Sequence, residues 1–240
     1  MNQTYIRYTQ AGFIFVGPED DPEFIAQAME LTQYKEEFCI GTDFSPSFIA
    51  GLMAAGFLVM SMKLEEEPDA ADDSLNVILL PKHHLIRNVL FFDKLHISRT
   101  AKRLLNRYQL KINDDFEFIL QRCVETHGDG WLTKELCRSL VALWKNPVNP
   151  VKMMAFGLYY DGNLVAGEVG VTVGRVYTSY SGFRTENNSG SVQIIKTAKY
   201  LDEAGFAFWD LGMPLEYKYS FGAEDITKNE FIAAFDNAQP

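Results

Sequence analysis

Between Lys152 and Phe183 the chain reads KMMAFGLYYDGNLVAGEVGVTVGRVYTSYSGF, and this run constrains the fold more than any other. It holds three stretches rich in β-branched and aromatic residues, joined at Asp161-Gly162 and around Gly174, where the residues suit tight turns. Strands joined so tightly pair antiparallel, so a three-stranded meander is expected. The period then changes. SGSVQIIKTAKYLDEAG offers Ser189 as a cap, an apolar stripe at Val192, Ile195, Ala198 and Leu201, and Gly205 as the stop, which together describe a helix. The β-rich FAFWDLG after it completes a strand-helix-strand crossover.

Upstream, YIRYTQAGFIFVG reads as one or two strands ending at Gly17-Pro18. Two helices follow: DDPEFIAQAMELTQY has an Asp cap and Pro22 at the first position, and SPSFIAGLMAAG has Ser45 as cap, Pro46 inside and Gly56 just past the end. EEEPDAADD, residues 65 to 73, has too little apolar surface to pack and reads as an exposed loop before the strand-like LNVILL. DDFEFILQRCVETHG and TKELCRSLVALWKN both carry helical periodicity, the second starting at Thr133 and stopping before Pro147. With 240 residues, 47% of them hydrophobic, the chain can bury two modest cores. A boundary near Leu80-Pro81 is expected, giving a small N-terminal α/β domain over 1–80 and a second domain over 81–240. Helices, a meander, a crossover helix and another strand make up an α/β (α+β) arrangement in the order of GNAT-type acyltransferase folds.

The formal net charge is −10, yet residues 82 to 111 hold Lys82, Arg87, Lys94, Arg99, Lys102, Arg103, Arg107 and Lys111 against one acid, Asp93. His83, His84 and His96 lie in the same segment. In LHISRTAKRLLNR, with Ser98 as cap and 100° per residue, Arg99, Lys102, Arg103, Asn106 and Arg107 fall on one side of a helix; Ala101, Leu104, Leu105 and Tyr108 fall on the other. No Glu stands at i,i+4 to neutralise the cations, so the face suits a polyanion. Cys39, Cys123 and Cys137 are far apart and in no C-x-x-C pair, which suggests neither disulfides nor a zinc site. No stretch has the length of a membrane span, and MNQTYIRYTQ lacks a secretory signal's apolar core, so no membrane partner and a cytoplasmic location are expected.

GTDFSPSFIAGLMAAGF, LHISRTAKR, GDGWLTKEL, GNLVAGEVGVTVGRVY, FRTENNSGS and SFGAEDITKNEF resemble, in order, the successive blocks of bacterial leucyl/phenylalanyl-tRNA–protein transferases, from about Gly41 to Phe231. The interval from Asp210 to FGA at Phe221–Ala223 is similar to the family's stretch between its catalytic Asp and its LGA. The resemblance implies a GNAT-fold C-terminal domain that moves Leu or Phe from aminoacyl-tRNA to the N-terminal Lys or Arg of an acceptor protein, with no metal or cofactor. It assigns tRNA contact to Lys82, Arg87, Lys94, His96, Arg99, Lys102, Arg103 and Arg107, the reaction centre to Asp210, and the pocket region to Trp131, Asn187, Ser189, Gly212 and Gly222.

The chain departs from the family at three places. The Gln of its D-x-Q motif is Gly212, the Glu that many members carry on the last meander strand corresponds to Tyr180, and the tryptophan-rich FPWF…WWSP stretch is missing. Tyr180 is therefore the second catalytic candidate, able to hydrogen-bond but neutral near pH 7. Two alternatives stay open: a GNAT acyltransferase with another donor, and a tRNA or protein binder that has kept the scaffold. Coenzyme A is disfavoured as donor because RTENNSGS puts Asn187 where the first glycine of the pyrophosphate-binding turn belongs. No Walker A, G-x-G-x-x-G, H-E-x-x-H or Ser-His-Asp signature is present, and His127 stands alone.

Overall fold

The structure, a computed structural model, describes residues 5–31, 34–64 and 76–239; the acidic run expected as a loop at 65–73 lies outside the described residues. In chain order the elements are β1 (Arg7–Tyr8), β2 (Ile14–Phe15), α1 (Pro22–Leu31), α2 (Pro46–Ala54), β3 (Leu58–Lys63), β4 (Val77–Lys82), β5 (Ile86–Leu90), α3 (Arg99–Leu104), β6 (Gln109–Ile112), α4 (Phe116–His127) and α5 (Lys134–Lys145). Then come β7 (Val151–Tyr160), β8 (Asn163–Val173), β9 (Val176–Arg184), α6 (Ser189–Glu203), β10 (Phe208–Asp210), α7 (Glu216–Tyr219), β11 (Glu224–Thr227) and α8 (Lys228–Asn237). No helix among the described residues is long and apolar enough to cross a membrane.

Two compact units divide the chain: one runs to His84 and also takes in Gly128–Val148, and the other comprises Leu85–His127 with Asn149–Pro240. The first unit extends past Pro81 because β4 pairs with β3 from Val77 to Lys82. It also contains α5, whose Ser139 hydroxyl donates to the Phe44 carbonyl just ahead of α2. Helical periodicity shows that α5 buries a face, not which neighbour receives it. Thr133 caps α5 as expected, accepting from Leu136 N. Ser45 precedes Pro46 at the start of α2 but bonds Asp43 rather than the helix.

The second unit is built on a seven-stranded mixed sheet in the order β11-β5-β10-β9-β8-β7-β6. β7, β8 and β9 form the expected antiparallel meander, with Asp161 and Gly162 both at positive φ in the first turn. α6 then crosses over, and β10 pairs parallel to β9. This order is the one expected of a GNAT-type acyltransferase fold. The α6 stripe of Val192, Ile195, Ala198 and Leu201 is wholly buried, and Ala198 and Leu201 meet Phe156, Tyr177 and Trp209 of the sheet. The start of α6 corrects one expectation: Asn188, in the left-handed region, occupies the cap position, and Ser189 is the first helical residue. The Ser189 hydroxyl turns back to the carbonyls of Glu186 and Val165, which accounts for its burial.

A backbone contact within this unit pins the link from β5 to α3 onto the link from α7 to β11. His96 N donates to Phe221 O over 2.9 Å, and His96 Nδ1 lies 3.1 Å from Ser220 O. Gly222 sits at φ +89°, and a Cβ there would fall onto the Lys94 carbonyl. Only glycine lets the two chains come so close. Gly205 shares the left-handed conformation, but nothing lies within 4 Å of its missing Cβ. Gly205→Ala is therefore expected to cost about 1 kcal/mol from backbone strain alone, and Gly222→Ala about 2–4 kcal/mol. Urea unfolding of the two variants checks this; equal losses would mean that the contact at Lys94 does not restrict position 222.

Candidate active site and nucleic-acid interface

β10 ends at Asp210, whose carboxylate is wholly buried. Its Oδ2 accepts from Thr178 Oγ1 at 3.0 Å and its Oδ1 from the Gly212 amide at 2.9 Å. Arg87 Nε lies 3.7 Å from Oδ1. The register explains the approach: Asp210 pairs with Val89 of β5, so Arg87, two residues along, points to the same face. The Arg87 guanidinium also lies 4.3 Å from the centroid of the Phe231 ring on α8. Arg87 was expected on the tRNA surface, but it is 2% exposed and faces Asp210. The spacing of basic residues along the chain does not reveal that position 87 lies inside a strand.

The turn after β10 is held from three sides. Gly212, at φ +75°, donates its amide to Asp210. The backbone of Asn88 exchanges two bonds with it, Leu211 N to Asn88 O at 2.9 Å and Asn88 N to Gly212 O at 2.7 Å. Lys218 Nζ then reaches up from α7 and donates to Leu211 O at 2.6 Å and Met213 O at 2.7 Å. The carbonyls of three successive residues are thereby satisfied. Burial pulls the Lys218 ammonium down to about 8, against the upward pull of Asp210, Glu168 and Asp225.

Glu168 was not among the residues singled out in the sequence. It lies in β8, on the side of the sheet that α6 covers. Its Oε1 accepts from Tyr177 Oη at 2.8 Å and Ser179 Oγ at 2.7 Å, and its Oε2 from Gln193 Nε2 at 3.4 Å. Trp209 Nε1 extends the network to Ser179 Oγ at 2.7 Å. Burial raises the Glu168 carboxyl to about 7, only partly offset by these donors and by Lys218. The same burial, reinforced by the Glu168 charge, holds the Tyr177 phenol well above its ordinary value. An acid alone inside VAGEVGVTV, a run of small and apolar residues, was the available signal.

The other candidates separate. Tyr180 is the extra residue of a β-bulge, since Gly170 pairs with Ser179 and Val169 with Ser181, and it is half-buried. Asn187 is exposed at the turn before α6. Trp131 and Lys82 belong to the first unit, where Trp131 O accepts from Ser61 Oγ at 2.7 Å. Along α3 and the turn after it, Arg99, Lys102, Arg103, Asn106 and Arg107 are exposed, as the helical spacing requires. Ala101 packs on Ile195 and Phe221, and Ser98 caps the helix through Ala101 N at 3.2 Å. Lys94 is paired with Glu224 at 2.6 Å, and Arg107 donates to Tyr160 Oη at 2.8 Å. Among the described residues Arg99, Lys102 and Arg103 meet no carboxylate.

The carboxyl of Glu168 gives a pH test of this network. Its folded value, about 7, lies above the ordinary 4.5, so its contribution to stability is fully present below about 4.5 and is lost as pH rises through about 7. Glu168→Gln removes that dependence. Relative to the parent protein, the variant is expected to gain about 3 kcal/mol in unfolding free energy between pH 4 and pH 8.5. A difference that stays constant over this range would show that Glu168 titrates normally.

Residues 89–236 match the family model of leucyl/phenylalanyl-tRNA protein transferases. A leucyl/phenylalanyl-tRNA–protein transferase of Pseudomonas putida strain W619 is 31% identical over 150 residues, covering 60% of this chain and 65% of that one. One from Maridesulfovibrio salexigens is 30% identical over 159 residues, covering 63% and 65%. The matches thus span slightly less than two thirds of these relatives' length. Among solved structures, FemX aligns with TM-score 0.46 at 11% identity over 92% of this chain and 81% of that one. The C-terminal domain of a putative lysylphosphatidylglycerol synthetase from Agrobacterium fabrum aligns with TM-score 0.40 at 12% identity over 98% and 81%. With the model covering well over half of its residues, the chain belongs to the leucyl/phenylalanyl-tRNA protein transferase family.

Proposed function

We propose that the protein transfers an amino acid, Leu or Phe by family, from aminoacyl-tRNA to the N-terminal amine of an acceptor protein. N-terminal Lys or Arg is the acceptor that the family suggests, and a cytoplasmic location goes with such substrates. The observation that carries the reading is the joining of a cationic helix to the end of α7, the short helix that follows the turn after β10. Arg99, Lys102 and Arg103 stand exposed on α3, while the same segment is bonded through His96 to Ser220 and Phe221, just after Lys218. A phosphate backbone held on α3 brings a donor ester near a preorganised, charged turn.

The chemistry asked of the protein is modest. The ester of aminoacyl-tRNA is already activated: a C–N bond forms, the bond to the ribose 3′ oxygen breaks, and that oxygen takes a proton. The attacking α-amine must be neutral, and with a free pKa near 7.7–8.0 about a tenth of it is neutral at pH 7. Positioning and charge stabilisation therefore matter more than a strong base. Asp210 serves this by fixing the Gly212 amide and by its field at Lys218.

Incubation with Leu-, Phe- and other aminoacyl-tRNAs and peptides bearing each N-terminal residue is expected to give transfer, reduced about 10²–10³-fold in Asp210→Ala. tRNA binding is expected to weaken with salt with a log–log slope of roughly −3, a slope lowered by about two to three when Arg99, Lys102 and Arg103 are all replaced by Ala. Salt-sensitive binding without transfer from any pair would instead identify a tRNA binder, and stabilisation by acetyl-coenzyme A but not by aminoacyl-tRNA would identify a different acyl donor.

A further inference from the structure

We propose that Lys218 is the positioning residue of the reaction-centre turn, holding it from below in place of a side chain at Gly212. This inference rests on the transferase reading for its catalytic consequence, but its structural part stands by itself. Gly212 cannot organise the turn with a side chain. The Lys218 ammonium instead grips the carbonyls on both sides of it, Leu211 and Met213, while Gly212's own amide and carbonyl are taken by Asp210 and Asn88. The segment from Met213 to Tyr219 turns Met213, Leu215, Tyr217 and Tyr219 outward, each at least 40% exposed, whereas Lys218 among them is 6% exposed. An approaching substrate thus meets a rim of apolar and aromatic side chains over a turn fixed by a buried cation.

A buried ammonium needs opposite charge as well as hydrogen bonds. Lys218 lies in the field of Asp210 of β10, Glu168 of β8 and Asp225 of β11, with the Tyr217 ring centroid 6.0 Å from Nζ and Arg87 of β5 paired with Asp210. Asp210 is engaged by Arg87, Thr178 and Gly212, and Asp225 by Asn88 Nδ2 and Tyr219 Oη, both at 2.8 Å. Burial already pulls the ammonium down to about 8, so it gives up its proton as pH rises through that value. A neutral amine then loses its attraction to the carboxylates, and the turn loosens.

Three readouts test this on the full chain. In Lys218→Met, kcat for transfer is expected to fall about 100-fold at pH 7, with the Kd for aminoacyl-tRNA unchanged and amide hydrogen exchange at Gly212 and Met213 accelerated. Wild-type kcat in Lys218→Met overturns the proposal. If the parent protein transfers nothing from any donor, the transferase reading fails, and hydrogen exchange alone decides the role of Lys218: faster exchange at the turn in Lys218→Met supports the anchor, and unchanged exchange removes it.

Discussion

The ion pair of Arg87 and Asp210 holds the second unit together at the point where its chemistry is expected. Neither side chain reaches solvent, and two charges so placed are tolerated only when the remaining donors and acceptors are met. Thr178 and the Gly212 amide meet the acceptors of Asp210, and the Phe231 ring lies against the Arg87 guanidinium. The pair thereby ties β5, β9, β10 and α8 to one another. It also fixes what Asp210 can do. A carboxylate engaged by Thr178, Gly212 and Arg87 is not a free surface base; its influence passes through the turn that it anchors and the cation in its field.

Beyond that pair the sheet carries charge on both of its faces. Thr178 and Asp210 lie on one, while Tyr177, Ser179 and Trp209 lie on the other with Glu168. Lys218 feels carboxylates from both. Such an arrangement suits acyl transfer from an activated ester, where charge appears and moves at one carbonyl and little else changes. At Gly212, where the chain departs from the family's D-x-Q, the turn is held by Lys218, whose ammonium bonds the carbonyls on either side.

The meander, its Asp161-Gly162 turn, the α6 stripe and the one-sided basic helix could all be read from the sequence, because each is a local pattern with a fixed period or a required turn residue. The rest depended on pairing between strands distant in the chain. Arg87 looked like one more residue of a basic run until β5 was seen inside the sheet, beside β10. Ser189 was expected to cap α6, yet the helix starts one residue earlier than that, with Asn188 in the left-handed region at the cap. Lys218 had no mark at all in EYKYS, where a lysine among exposed neighbours is ordinary. Helix α5 could be recognised as amphipathic, but only tertiary contact assigns it to the first unit.

The most direct test of the central claim, that the turn from Leu211 to Met213 is where the donor ester is received, is a crystal structure with an adenosine carrying an amide-linked amino acid at its 3′ position. The expected density puts the aminoacyl carbonyl against this turn, with the adenosine on the side of His96 and the Arg87–Asp210 pair intact. Density for the ligand elsewhere on the protein, with the turn unoccupied at saturating ligand, would contradict it.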